Sequence, residues 1–417
     1  MKLNRIFLTV ILSIVLCACN NNDDEDLDLV AVATPEFVSK TEFRKMVDIG
    51  APKPIVQAGK IYAYGHYIFV NDVNKGVHII DNTNPKSPSA IKYINIPGNE
   101  DISIKNNYLY ADSATDLVVF NISDINNITQ VERLENVFEI YNYNIPEEAV
   151  ATDFGDYDWE TDIILGWKLE QKPSEEVDPN IWIERGMIFN DAVMAAAAES
   201  NVGVGGSLAR FQIKDNYLYT VGSYSMAIFN IQDLANPELE NTQYAGWNIE
   251  TMFEADDYLY LGSTNGMYIY DLNNPAAPAY VSEFVHWEGC DPVVVDGDYA
   301  YLTLRGGNLC GQLESVLEVI DISDKTNPTL AKRYTLDNPY GLGIKDNMLF
   351  VCDGTSGLKL FDRNTPVDLN LVRTIGNIQA TDVIPLENSL VMIGDNTLYQ
   401  YKYIGDNISF LSSFSLN

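Results

Sequence analysis

Asn107-Tyr108-Leu109-Tyr110, Asn216-Tyr217-Leu218-Tyr219, Asp257-Tyr258-Leu259-Tyr260 and Asp298-Tyr299-Ala300-Tyr301 are four copies of one pattern, a turn residue followed by aromatic-x-aromatic. Weaker copies are Tyr67-Ile68-Phe69, Met348-Leu349-Phe350 and Ser389-Leu390-Val391. Their first positions, 67, 108, 217, 258, 299, 348 and 389, stand 41 residues apart in four of six intervals, 49 apart in one and 109 apart in another. A fixed period of this length marks a repeat architecture. Seven units with two insertions, one of 8 and one of 68 residues, account for nearly all of the chain from residue 43 to its end.

Each marker is followed by a second apolar run closed by Asp or Asn. Examples are Val77-His78-Ile79-Ile80-Asp81, Leu117-Val118-Val119-Phe120-Asn121, Met226-Ala227-Ile228-Phe229-Asn230, Met267-Tyr268-Ile269-Tyr270-Asp271, Leu317-Glu318-Val319-Ile320-Asp321 and Leu358-Lys359-Leu360-Phe361-Asp362. A proline follows four or seven residues on: Pro85, Pro237, Pro275, Pro328, Pro366. Runs of Val, Ile, Tyr and Phe bounded by Gly, Asn, Asp and Pro read as strand and turn. The recurring Asp or Asn suits an Asx-type turn, in which the side chain bonds the backbone two residues on. Recurrence in nearly every repeat favours that role over metal binding. Each repeat has room for four strands, which in the second unit would be 101–105, 108–112, 117–122 and 129–134. Four strands per 40 to 45 residues is the pattern of a propeller blade, whose inner strands are apolar on both faces. The expected fold is therefore all-β: a single β-propeller of about seven four-stranded blades over residues 41–417, with one long insertion, 138–206, between the second and third repeats.

The third strand of a repeat, as in Leu317-Glu318-Val319-Ile320-Asp321-Ile322-Ser323, resembles the LVIVD repeat of bacterial and archaeal surface propellers. The Asp-x-x-x-x-x-Asn-Pro ending is similar too. The last copy, Thr397-Leu398-Tyr399-Gln400-Tyr401, lacks both the Asp and the Asn-Pro. The resemblance implies the fold; it implies no activity, because that family is named for its repeat. Two segments compete to close the ring: residues 43–48, which would join the last blade from the N-terminal side, and 408–411 from the C-terminal side.

The insertion carries 15 Asp and Glu against 3 Lys and Arg, and three of the five tryptophans, Trp159, Trp167 and Trp182. Insertions in repeat proteins map to loops on one face, often the binding face, so these three are the candidate binding residues, able to stack on sugar rings or a protein partner. Asp156, Asp158, Glu160 and Asp162 alternate with other residues. On a strand they would share one face and suit Ca²⁺, although Thr161 stands where a calcium loop turns on Gly. Residues 191–199, with Ala195 to Ala198, suit a short helix. Gly203-Val204-Gly205-Gly206 reads as a flexible return to the third repeat. Trp247 and Trp287 begin or precede first strands and suit either loops at the funnel or packing between blades.

Lys2 and Arg5 precede an apolar run, 6–16, of signal-peptide length. Leu16-Cys17-Ala18-Cys19 resembles the lipobox of bacterial lipoproteins, which implies a signal peptide of residues 1–18 and lipidation (palmitate) of Cys19; Cys17 follows the bulky Leu16 and fits less well. Residues 19–40 are then a lipidated tether. Its stretch Asn20-Asn21-Asn22-Asp23-Asp24-Glu25-Asp26 cannot bury anything and resembles the acidic tag of surface-displayed lipoproteins. The expected location is the cell envelope, lipid-anchored to the outer membrane and surface-exposed. Net charge is −33, a field that repels phosphate and excludes nucleic-acid partners. Of the later cysteines, Cys290 and Cys310 are a candidate disulfide within one repeat, and Cys352 is left over.

The sequence holds no convincing catalytic set. His66, His78 and His286 have no metal-ligand spacing with another His or Cys, and the nucleophile elbow, phosphate loop and Cys-x-x-Cys motifs are missing. The reading is a non-catalytic binding or scaffold propeller for a glycan or protein, with no cofactor apart from the Ca²⁺ candidate. Two alternatives remain: a carbohydrate-active enzyme using paired carboxylates at the propeller funnel, and a calcium-dependent adhesin-like protein.

Overall fold

A computed structural model describes residues 29–139, 145–183, 202–286, 292–306 and 314–417. They divide into two compact units: a larger one within 35–144, 156–166 and 184–417, and a smaller one within 1–34, 145–155 and 167–183.

In the larger unit the apolar runs of the repeats form seven antiparallel meanders, at 58–95, 102–134, 211–244, 249–285, 293–335, 342–375 and 380–415, each with its four strands in chain order. The second and third strands are buried on both faces, and Tyr110, Tyr219, Tyr260 and Tyr301 are fully buried. The fourth strands, such as Glu238–Tyr244 and Asn370–Ile375, lie mostly exposed. The first strand of every sheet touches the first strand of the next, and that of the seventh touches that of the first. The first strands therefore surround one axis in a closed circuit.

The repeat motif explains how neighbouring sheets are stitched. In three of the four tyrosine copies, the second tyrosine of the marker sends its hydroxyl to the carbonyl four residues past the Asp or Asn that closes the third strand of the next sheet. Tyr110 donates to Leu234 O at 2.9 Å, Tyr219 to Pro275 O at 2.9 Å and Tyr301 to Pro366 O at 3.1 Å. A buried phenol needs such a partner. The strand-closing carboxyls and amides make the expected Asx turns: Asp81, Asn121, Asn230, Asp271, Asp321 and Asp362 each accept the backbone N–H two residues on.

The ring closes with the C-terminal candidate. All four strands of the seventh sheet come from one continuous segment ending in Ile408–Ser415. The expectation that residues 43–48 would join that sheet is corrected. Phe43 and Arg44 belong to the short helix Lys40–Arg44, capped by Ser39, whose Oγ accepts from Glu42 N–H. Asp48–Gly50 instead pairs with the outer edge of the first sheet, Ile49 opposite Ile94. The segment is held there by that pairing, by Asn95 Nδ2 donating to Met46 O at 2.7 Å, and by the Arg44 guanidinium, which pairs with Asp116 at 2.8 Å and Glu135 at 2.7 Å. With no strand exchanged, the seam is held by a backbone bond from Ile55 N–H to Leu416 O at 2.8 Å and by side chains. Asn82 and Gln400 exchange two amide hydrogen bonds, 3.1 and 2.7 Å, and Ile61 and Val70 share a buried cluster with Val391 and Ile393.

In the smaller unit a parallel pairing sets Val32 opposite Ala151 and Ala33 opposite Thr152, over a core of Val32, Ala151 and Val177.

Candidate functional site

The axis of the ring is filled by the chain itself. Val204–Gly205 pairs antiparallel with Ala63 and Tyr62 on the inner edge of the first sheet. Gly203 N–H donates to Ile104 O of the second sheet at 2.7 Å, and Met252 N–H of the fourth donates to Ala209 O at 2.8 Å. Leu342 N–H of the sixth donates to Ser207 Oγ at 2.7 Å. Inner-edge N–H and C=O groups need partners wherever water is excluded, and residues 202–209 supply them. The glycines are set by space. A Cβ on Gly203 would lie 2.2 Å from Tyr62 Cε1, and one on Gly206 would lie 2.6 Å from Asp382 Oδ1. The sequence-based expectation of a flexible return is therefore corrected: small residues are here because the axis is narrow.

The carboxylates around the axis are committed to this packing. Asp101 accepts from Ile102 N–H at 2.8 Å and Phe211 N–H at 3.2 Å, with the Lys60 ammonium 3.2 Å away. Glu100 pairs with Arg210 at 2.6 Å. Asp112 Oδ1 accepts from Asn99 Nδ2, Glu100 N–H and Asp101 N–H, yet burial and the neighbouring Glu100 push its pKa up to about 7. Asp382 is fully buried. Burial pushes it well above the usual carboxylate range against the opposing Val383 and Ile61 amides and Lys60, which favours the neutral acid, the form least costly to bury. At the end of the axis that carries the turns between first and second strands lies a cavity of about 500 Å³ that includes Phe253, Asp296, Lys345 and Arg363. Its charges compensate one another: Arg363 bonds the Asp296 carboxylate and, at 2.7 Å, the Asp346 carbonyl.

A different surface is open. At the opposite end of the third and fourth sheets, Tyr224 is 42% exposed, Tyr244 68% and Trp247 57%. The Tyr224 and Trp247 rings meet edge to face, centroids 5.2 Å apart and planes at 66°. Ala245 N–H bonds Tyr224 O at 2.8 Å, tying the two loops together. Gly246 turns the chain so that Trp247 points outward: its φ is +137°, and a Cβ there would strike the Tyr268 ring at 2.8 Å. Trp247 N–H is held by the Tyr268 hydroxyl at 3.2 Å. The segments forming this ledge, 222–225, 244–248 and 264–265, contain no charged residue, in a chain that is 20% charged.

A family model described as LVIVD repeat matches residues 57–95, 99–135, 255–285 and 290–336, which lie on the first, second, fourth and fifth sheets. The chain contains LVIVD repeats. The third, sixth and seventh sheets keep the same four-stranded form outside the matched segments. A solved protein from Lactobacillus plantarum is similar at 12% identity over 86% of this chain and 96% of that one, with a TM-score of 0.53. The computationally designed Ika8 protein is similar at 9% identity over 87% and 89%, with a TM-score of 0.51. These likenesses show the fold alone, a β-propeller. No curated protein matches the sequence.

Of the candidates in the insertion, one tryptophan lies in the larger unit and two in the smaller. Trp159, in the larger unit, is exposed and packs on Tyr157 with centroids 5.1 Å apart. Trp167, in the smaller unit, packs on Phe154 at 5.8 Å, and Trp182 forms an isolated bridge with Ala151. The strand placement expected for the calcium candidates Asp156, Asp158, Glu160 and Asp162 is corrected. The stretch is turn up to Asp162, where a strand begins, so the alternation never becomes one face. Asp158 accepts from Glu160 N–H at 2.9 Å, and Asp162 accepts from Asp158 N–H at 3.2 Å. Among the described residues no three His, Cys, Asp or Glu side chains come together to hold a metal. His78 is buried against Tyr93, with Asp72 3.6 Å from its Nε2. Cys352 is buried and free. Cys19, Cys290, Cys310, Trp287 and residues 191–199 lie outside the described residues. The ledge was absent from the sequence-based site. Its signal is the placement of Trp247 between two sheets, where the repeat already supplies the core residues and an extra indole has no packing duty.

Proposed function

We propose that this protein is a lipidated envelope protein, displayed from the outer membrane, whose seven sheets act as the blades of a non-catalytic binding propeller for a glycan or protein partner. The observation that carries the reading is the ledge of Tyr224, Tyr244 and Trp247, which a fold with no partner has no reason to leave exposed. Support comes also from the axis, where a propeller enzyme would gather its carboxylates: the chain's own segment 202–209 fills it, and Asp101, Glu100 and Asp112 are spent on amides and cations. The Ala18-Cys19 lipobox and the acidic tether support the location.

The test uses the full chain in cells, with a photoreactive residue at position 247 or, for comparison, at the exposed Leu371 on an outer strand. A discrete cross-linked species from position 247 alone is expected. Identical patterns from both positions, or none, would refute a partner at the ledge. Incorporation of labelled palmitate that is lost in Cys19→Ala checks the anchor.

A further inference from the structure

We infer that the Tyr224–Trp247 ledge is a stacking platform for an uncharged glycan, an inference that rests on the binding-propeller reading and names the chemistry of its ligand. Three features of the surface point to it. The first is the pair of rings. With planes at 66° and centroids 5.2 Å apart, one ring braces the other by its edge. The quadrupoles favour that arrangement, and it holds the aromatic surface still before a ligand arrives. A pyranose presents a face of C–H bonds that packs on such a ring, and a rigid aromatic anchor loses little conformational freedom on binding.

The second is the surrounding chemistry. Ser223, Ser225, Asn248 and Asn265, all partly exposed, bring hydroxyls and amides, which match sugar hydroxyls as both donors and acceptors. Asn248 Nδ2 is held towards Thr264 Oγ1 at 3.3 Å, and Ser263 Oγ towards Asn265 Oδ1 at 2.6 Å, so the amides are oriented in advance.

The third is charge. The ledge segments hold none, while the chain as a whole carries −33. An acidic glycan would be repelled by that field, and a basic protein patch would find no carboxylate here to pair with. The uncharged sugar is the ligand with nothing to lose at this surface. The backbone keeps the site built in the absence of ligand, because the kink at Gly246 and the bond from Trp247 N–H to the Tyr268 hydroxyl aim the indole outward.

The experiment is calorimetric titration of the full mature chain with maltohexaose, cellohexaose and mannohexaose, and with hexagalacturonate as the charged comparison. At least one neutral hexasaccharide is expected to bind and the galacturonate is not. Trp247→Ala should weaken binding about tenfold or more, the scale of losing one stacked aromatic with its buried area, and Trp247→Phe should recover part of it. Both variants change an exposed side chain, so an unchanged melting temperature certifies the fold. Binding that survives Trp247→Ala, a preference for galacturonate, or no binding at millimolar sugar would each overturn the inference. A protein adduct at position 247 with no sugar titration would leave the binding-propeller reading standing and remove the glycan alone.

Discussion

Gly203→Ala separates two descriptions of the segment that returns to the third sheet. If residues 202–209 were a flexible return, the added methyl would only restrict the unfolded chain and stabilise the protein by about 0.4–1 kcal/mol. In the structure the new Cβ would stand 2.2 Å from Tyr62 Cε1 and 2.8 Å from Ala63 O. Tyr62 cannot swing away without losing its bonds to Gly203 O and Ile104 N–H, 2.9 and 3.0 Å, and the Ala63 carbonyl belongs to a paired strand. Overpacking of this kind costs about 1–3 kcal/mol, so the net loss after the unfolded-chain gain is about 1.3 kcal/mol. With about 2 cal/mol/K of unfolding entropy per residue, a unit of roughly 350 residues has about 0.7 kcal/mol/K. The melting temperature should therefore fall by about 2 °C in scanning calorimetry. The control is Gly376→Ala, at a position where a Cβ meets nothing within 4 Å. A rise for Gly203→Ala equal to that of the control would refute the plug.

Tyr219→Phe leaves the Pro275 carbonyl without its 2.9 Å partner and should cost about 1 kcal/mol, a drop of about 1–2 °C that Tyr217→Phe, on a partly exposed ring, does not share. Asp112→Asn keeps the single acceptor oxygen that takes all three donors. The wild-type carboxyl is raised to about 7 by burial, against about 3.9 when unfolded. Folding therefore takes up a proton between those values, and stability falls as pH rises from about 4 to about 7. The variant should flatten that fall, with its advantage in melting temperature large at pH 8 and absent at pH 4; equal slopes would refute the assignment. Because Asp158 and Asp162 cap turn amides, chelator and added Ca²⁺ should leave the melting curve in place, and a shift with either would revive the calcium reading.

The repeat was legible because blade geometry is written in local chemistry. A strand buried on both faces must be apolar throughout, a strand end followed by an Asx turn needs Asp or Asn, and a buried phenol needs a carbonyl. The apolar runs recur in seven copies, the Asp or Asn in six and the phenol in four, as Tyr108-Leu109-Tyr110, Asn121 and their copies, with 41 residues between markers in four of six intervals. What escaped the sequence was decided by distant partners. Nothing near Gly203 or Gly206 says that Tyr62 and Asp382, far away in the chain, leave no room for a side chain; glycine written for closeness and glycine written for freedom look the same. Residues 43–48 read as an outer strand by composition, and partners distant in the chain, Asp116 and Glu135 for Arg44 and Ile94 for Ile49, hold them elsewhere. The carboxylates from Asp156 to Asp162 alternate as they would on a strand, but their own side chains cap the amides of a turn. Trp247 was visible as an unemployed aromatic, while its partner Tyr224, between two serines, carried no signal of its own.

The direction of the plug gives the long insertion a mechanical reason to be long. Val137 and Phe138 donate to Thr115 O, in the turn between the second and third strands of the second sheet. Val202 bridges Lys105, beside the turn between the first and second strands. In an up-and-down meander those turns lie at opposite ends, so the chain leaves one end of the ring and re-enters at the other. An ordinary connection between repeats stays at one end and needs only a few residues, as 96–101 does between the first two sheets. Changing ends round the outer edge of a four-stranded sheet, from mid-sheet to the axis, means about one and a half sheet widths of roughly 20 Å and one strand height of roughly 20 Å, about 50 Å in all, or about 15 extended residues. Part of the 68 extra residues is thus required by the plug itself. A shortened insertion that keeps residues 202–209 but falls below that length should lose the plug and its stabilisation together, whatever it does to binding at the ledge.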